Sequence, residues 1–287
     1  MEPAPTQHRR YRAVLALSSA LALASTASAP SPFGCDVQMD WSAGVIEARV
    51  ELDLGLAGIR LPSGRSQADS VLTAAIPSLI RDRVLAVPLD SYRTVGDSLS
   101  DGTLEPSALD GFLEGGRRLE SALSRDAQKL TARYAWSLTD LAGLYVRHSR
   151  PQEPAEAGRF LATRDYSGIV VYAKGSLPVR GERRESGLRP CLLPRMFDED
   201  MNAVLERNFV DPEALRSWGC VGYAADLDDP VVQARAGSDP LRIMASGVFG
   251  TARTDAVITG DDALRILGSP ANRRLLREGR VVFVLDL

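Results

Sequence analysis

The sequence predicts an α+β fold, with largely antiparallel sheets, packed helices and two subdomains. Three observations lead there. Residues 46–52 and 130–138 alternate apolar and polar side chains with a period of two, the pattern of a strand with one buried face. Residues 71–84 repeat apolar side chains at helical spacing. Short strand and helix signals then follow one another in mixed order, with no solenoid repeat and no low-complexity tract.

The first region, residues 36–150, reads strand–helix–helix–strand. Trp41 to Gly44 makes a turn, after which Ile46, Ala48, Val50 and Leu52 alternate with Glu47, Arg49, Glu51 and Asp53. Ser66 and Asp69 have capping-box spacing. The following helix carries Val71, Leu72, Ala75, Ile76, Leu79, Ile80 and Val84 on one side, and Pro77 is expected to kink or split it. A second helix is expected over residues 106–123. Leu130, Ala132, Tyr134, Trp136 and Leu138 then form a strand with an aromatic-rich face. Residues 150–158, with Pro151 and Pro154, read as a linker.

The second region, residues 159–287, opens with a β-branched strand at 168–173. Residues 191–206 read as a hairpin with Asp198, Glu199 and Asp200 at its tip. Asp211 and Pro212 mark the start of a short helix reaching Trp218. Residues 241–258 are expected to form one long bent strand, with Gly247 and Gly250 at its bulges. Thr259 and Asp262 cap a helix ending near Leu267, Ser269 and Pro270 begin another, and residues 281–285 form a terminal strand.

Residues 1–29 have the order of a cleaved secretory signal: His8, Arg9, Arg10 and Arg12, then an uncharged run, then small residues ending at Ala29. Cleavage after Ala27 keeps Pro30 away from the cut. The uncharged run is shorter than the roughly 18 residues that a membrane-spanning helix needs. The expected location is therefore the periplasm or the outer-membrane surface. Membrane association would require lipidation of Cys35, a weak site because Pro32, Phe33 and Gly34 precede it. The net charge of −3 lacks the basic footprint of a nucleic-acid partner.

Candidate chemistry is sparse. The only histidine outside the signal is His148, so a two-histidine metal site cannot be built and no metal is expected. There is no G-x-S-x-G elbow, no Walker loop and no G-x-G-x-x-G fingerprint, which leaves no visible nucleotide seat and no expected cofactor. Asp198, Asp200 and Asn202 begin like a calcium loop, but Ala203 and Phe209 stand where glycine and glutamate are needed. Asp226, Asp228 and Asp229 read as a solvated turn. Cys191 and Cys220 could pair as a disulfide or remain two buried thiols. Trp41, Trp136 and Trp218 are expected in cores or at an interface between regions. In residues 174–195, Lys174, Arg180, Arg183, Arg184, Arg189 and Arg195 outnumber Glu182 and Glu185. Such a segment is either a solvated loop or a contact for an anionic partner.

Six blocks of the second region occur in a familiar order: DYSGIVVYAKG at 165–175, PRMFDED at 194–200, GCVGYA at 219–224, DPLRIMASG at 239–247, TDAVITGDDALRIL at 254–267 and RVVFVLD at 280–286. Together they resemble the family of bacterial envelope lipoproteins related to the flagellar assembly protein T. The resemblance implies a small α+β domain that binds envelope or flagellar basal-body proteins and performs no catalysis. The expectation is a non-enzymatic envelope accessory. Two alternatives make structural demands. A cell-wall hydrolase needs a groove with paired carboxylates, one of raised pKa. A ligand-binding module needs a pocket between the regions.

Overall fold

Alternation along residues 45–53 places Ile46, Ala48, Val50 and Leu52 on one buried face, and this stretch forms the second strand of the structure. The structure is a computed structural model that describes residues 31–154 and 161–287. The signal-peptide expectation and part of the linker expectation fall outside these residues.

The first region contains β1 (Phe33–Asp40), β2 (Val45–Asp53), α1 (Arg65–Leu85), α2 (Val95–Ser100), α3 (Pro106–Glu114), β3 (Arg117–Leu123), β4 (Lys129–Ser137) and α4 (Leu138–Gly143). Its sheet is antiparallel throughout, in the order β1-β2-β4-β3. Register fixes the core: Ile46 faces Trp136, Ala48 faces Tyr134, Val50 faces Ala132 and Leu52 faces Leu130. Helix α1 lays Ala68, Leu72, Ile76, Ile80 and Val84 into that core. These positions are four residues apart, so they share one helix face. On the other face of the sheet, Arg133 bridges Glu47 (3.1 Å) and Glu120 (3.2 Å).

Three local expectations change here. The helix expected over 106–123 stops at Glu114, and its second half is the edge strand β3. Gly115 caps α3, and Gly116 lets the chain pass close to Trp136, where a Cβ would lie 2.2 Å from the ring. Ser66 does not cap α1. The N-cap lies two residues earlier, at Gly64, and Asp69 instead holds Arg65 (3.2 Å) and Arg118 (2.7 Å). Pro77 lies within α1 without splitting it.

The second region contains β5 (Ile169–Tyr172), β6 (Leu177–Pro178), β7 (Glu185–Ser186), β8 (Met196–Phe197), β9 (Ala203–Leu205), α5 (Pro212–Trp218), β10 (Gly222–Ala224), α6 (Pro230–Ala236), β11 (Leu241–Met244), β12 (Gly247–Phe249), β13 (Asp255–Val257), α7 (Gly260–Leu267), α8 (Pro270–Arg277) and β14 (Val281–Val284). The expected long strand over 241–258 is three strands in two sheets. Strand β11 ends a sheet ordered β10-β14-β5-β11, whose pairs are all parallel. Strands β12 and β13 belong to the sheet β12-β13-β8-β9, which is mostly antiparallel. Thr259 caps α7 and Ser269 caps α8 through their side chains.

The α+β class with antiparallel sheets and two subdomains holds. The subdomains meet through main-chain bonds. Leu192 and Leu193 amides donate to the Pro88 and Leu89 carbonyls (3.0 and 2.9 Å), and the Ala252 amide donates to the Ser91 carbonyl (2.8 Å). Ser91 is fully buried there, with its hydroxyl 2.8 Å from that of Thr254. Residues 32–287 accordingly form one unit.

Candidate functional site

The β1–β2 turn, α4, the end of α5, the start of β10 and one face of α6 surround a cavity of about 240 Å³. Trp41 supplies one wall, because the turn at 41–44 carries it out of the sheet toward the second region. It meets Tyr223 edge to face, with ring centroids 5.7 Å apart. The Tyr223 hydroxyl donates to the Cys191 carbonyl (2.8 Å) and accepts from the Cys191 amide (3.0 Å). Leu138, Leu192, Val221 and Val231 make further apolar wall, and Ala43 and Ala234 lie exposed at the rim.

Arg235 is the charged group of this cavity. On α6 it follows Val232 by three residues and therefore shares its buried face. Only 5% of it is exposed. Nε donates to the Gly279 carbonyl (2.7 Å), Nη2 to the Gly219 carbonyl (2.7 Å) and Nη1 to the Trp218 carbonyl. The guanidinium lies 4.9 Å from the centre of the Trp218 ring. Gly222 gives it room, since a Cβ there would lie 2.9 Å from the Arg235 Cδ. Burial lowers the guanidinium pKa to about 10. Sequence reasoning missed this residue, because a lone arginine in a short helix reads as a solvated one. Its spacing from Val232 was the only available signal.

Cys191 and Cys220 both line this cavity as free, buried thiols. Burial pushes Cys220 up to about 12 and raises Cys191 further. Cys35 lies in the middle of β1, opposite Val50. A lipid on a Cys35 exposed by cleavage would require loss of the Phe33–Leu52 and Gly34–Glu51 pairs. Of the three tryptophans, Trp136 is core, with its Nε1 donating to the Leu113 carbonyl (3.1 Å), while Trp41 and Trp218 meet at the cavity.

The six basic residues of 174–195 do not form one patch. Lys174 is held by Asp226 (3.1 Å) and the Ala225 carbonyl (2.9 Å). Arg195 grips fully buried Asp255 through Nη2 (2.7 Å) and Nε (3.1 Å). Arg184 pairs with Glu182 at 2.5 Å, and Arg180 donates to the Glu199 carbonyl. Arg183 and Arg189 are exposed and have no ion pair among the described residues. His148 is half-buried, 2.8 Å from the Val210 carbonyl. The Asp198 carboxylate is occupied by its own hairpin tip, accepting from the Asp200 and Asn202 amides (2.9 and 2.8 Å). Asp229 leaves the expected turn to cap α6.

The fold and cavity define a two-subdomain α+β protein with a small site at the subdomain junction. Two family models match it in chain order. One, described as Treponema pallidum Tp0624, N-terminal domain, covers residues 33–144. The other, described as Treponema pallidum Tp0624, second domain, covers residues 168–287. The second match spans the stretch that resembles the flagellar assembly family, and neither description mentions flagella or lipoproteins. No curated protein matches the chain.

Proposed function

We propose that this chain is an exported, non-enzymatic binding protein of the bacterial envelope, and that the junction cavity is its ligand site. The wall of that cavity carries this reading. It holds no carboxylate and no histidine among the described residues, so no acid–base pair faces a bound molecule. Its thiols stay protonated at neutral pH and are poor nucleophiles. Aromatic and aliphatic walls with a fixed charged group and a few polar side chains, here Arg235 with Ser42, Thr139 and Ser217, are what a binding site needs. The hydrolase alternative has little support, because the carboxylate that burial raises, Asp255, lies against Arg195 and outside this cavity.

Native mass spectrometry of the chain isolated from its own envelope tests the ligand site. A bound mass should appear, and Ala234→Trp at the exposed rim should remove it. A bound mass unchanged by the rim variant would place the ligand elsewhere.

A second reading concerns protein partners, including the flagellar basal body, and rests on the resemblance of residues 165–286. Exposed, unpaired Arg183 and Arg189 favour it. Converting both to serine should reduce crosslinked partner recovery from intact cells severalfold while leaving thermal stability unchanged. Unaltered recovery would remove this loop from the account. Enrichment with basal bodies no greater than that of an abundant periplasmic control would break the flagellar link.

A further inference from the structure

We propose that the junction cavity selects a small monocarboxylate with an apolar or aromatic body, held by Arg235. This rests on the cavity being the ligand site. Two buried arginines among the described residues make the contrast. Arg253 is 7% exposed and has its own counterion, Glu182, at 2.9 Å. Arg235 is buried more deeply, yet its partners are three main-chain carbonyls, with no carboxylate among them. A guanidinium has five N–H donors, so the carbonyls leave one on each Nη. Those donors remain for the oxygens of a bound carboxylate.

The remainder of the site agrees in charge, shape and rigidity. No acid on the cavity wall competes for the guanidinium or repels an incoming anion. One buried positive charge matches one carboxylate, whereas a phosphate dianion would bring one uncompensated negative charge to the site. Gly222, Gly279 and the Trp218 ring hold the guanidinium in place before any ligand arrives, which limits the ordering cost of binding. Trp41, Tyr223, Leu138 and Val231 would contact the ligand body. The volume of about 240 Å³ lies below the roughly 300–1,000 Å³ of sites for drug-sized molecules, and suits a ligand the size of an amino acid. Desolvation already weakens the guanidinium's hold on its proton, and a bound anion would relieve that.

Isothermal titration of the purified protein with phenylacetate and with its neutral counterpart phenylacetamide tests the proposal. Phenylacetate should bind about tenfold tighter or more, and Arg235→Met should abolish the difference. Equal affinity for the two probes would overturn the carboxylate inference and leave the cavity standing as a ligand site. Binding of neither probe at millimolar concentration would overturn both. Should Arg235→Met fail to fold, the wild-type Arg235 Nε–H resonance decides. It should shift with phenylacetate and not with phenylacetamide, and no shift with phenylacetate would overturn the proposal.

Discussion

Cys191, Cys220 and Tyr223 share one wall of the junction cavity and are fully buried. Desolvation raises the pKa of all three, Cys220 to about 12, Cys191 further, and Tyr223 well above the ordinary phenol value. In the unfolded chain the thiols would ionise near 9.0 and the phenol near 10.0. Below pH 9 all three are neutral in both states, so their contribution to stability is intact. Above it only the unfolded chain releases these protons, and stability falls as pH rises, by about 1.4 kcal/mol per group per pH unit. Urea midpoints measured from about pH 8.5 to 10.5 should show this decline, and Cys191→Ala with Cys220→Ala should flatten it. An unchanged slope would mean the thiols do not titrate as buried groups. That the two cysteines are buried was one of two readings open in the sequence. Their common wall was not legible, because residues 191 and 220 are joined only through tertiary packing.

Among the elements, those with strict periodicity were legible and those at edges were not. Strands β2 and β4 alternate cleanly because one face is core and the other solvent. Strand β3 is largely exposed on both faces, so no alternation marks it apart from the helix expected over 106–123. The close approach at Gly116 can be tested against a control within α3. Gly116→Ala drives a methyl into the Trp136 ring and should cost about 1–3 kcal/mol in thermal unfolding. Gly111→Ala, exposed in α3 with open space around it, should instead stabilise by about 0.5–1 kcal/mol. Equal effects at the two positions would contradict the packing. The helices that begin at Pro212, Gly260 and Pro270 were read correctly because their signals are local, whereas α2 and α6 were missed despite side-chain caps at Thr94 and Asp229. Pro212 and Pro270 occupy first-turn positions, and Thr259 accepts from the Asp262 amide (3.2 Å). At Asp211 the residue type was right, yet its side chain makes no cap bond.

At the scale of the whole molecule, the docking of the two regions is concentrated where Ser91 enters the second region. Gly250 stands there with φ +88°, and a Cβ would lie 2.2 Å from that of Ser91. Gly250→Ala therefore combines left-handed backbone strain of about 1–2 kcal/mol with a clash that parts the regions. Calorimetry should show the single transition of the wild type split into two. Gly58→Ala is the control, since Gly58 also has positive φ but nothing lies within 4 Å. It should lower the melting temperature without splitting the transition. A single transition in Gly250→Ala would show that the regions are coupled by other contacts. The charge-rich loop belongs to this scale too. Its basic residues are close in sequence, but Lys174 and Arg195 are taken by Asp226 and Asp255 from other elements.

By itself the sequence determined the strictly periodic elements, strands β2 and β4 and helix α1, and which side of each is apolar. It also determined that the chemistry of a two-histidine metal site is missing outside residues 1–29. These follow from local periodicity and composition, which are complete within a few turns of chain. Tertiary structure alone decided that residues 241–258 divide between two sheets and that one of these sheets is parallel. It decided, too, that Trp41, Trp218, Tyr223 and Arg235 surround a single cavity. A periodic pattern says that a face is buried, and the partner of that face depends on surfaces far apart in the chain competing to exclude water.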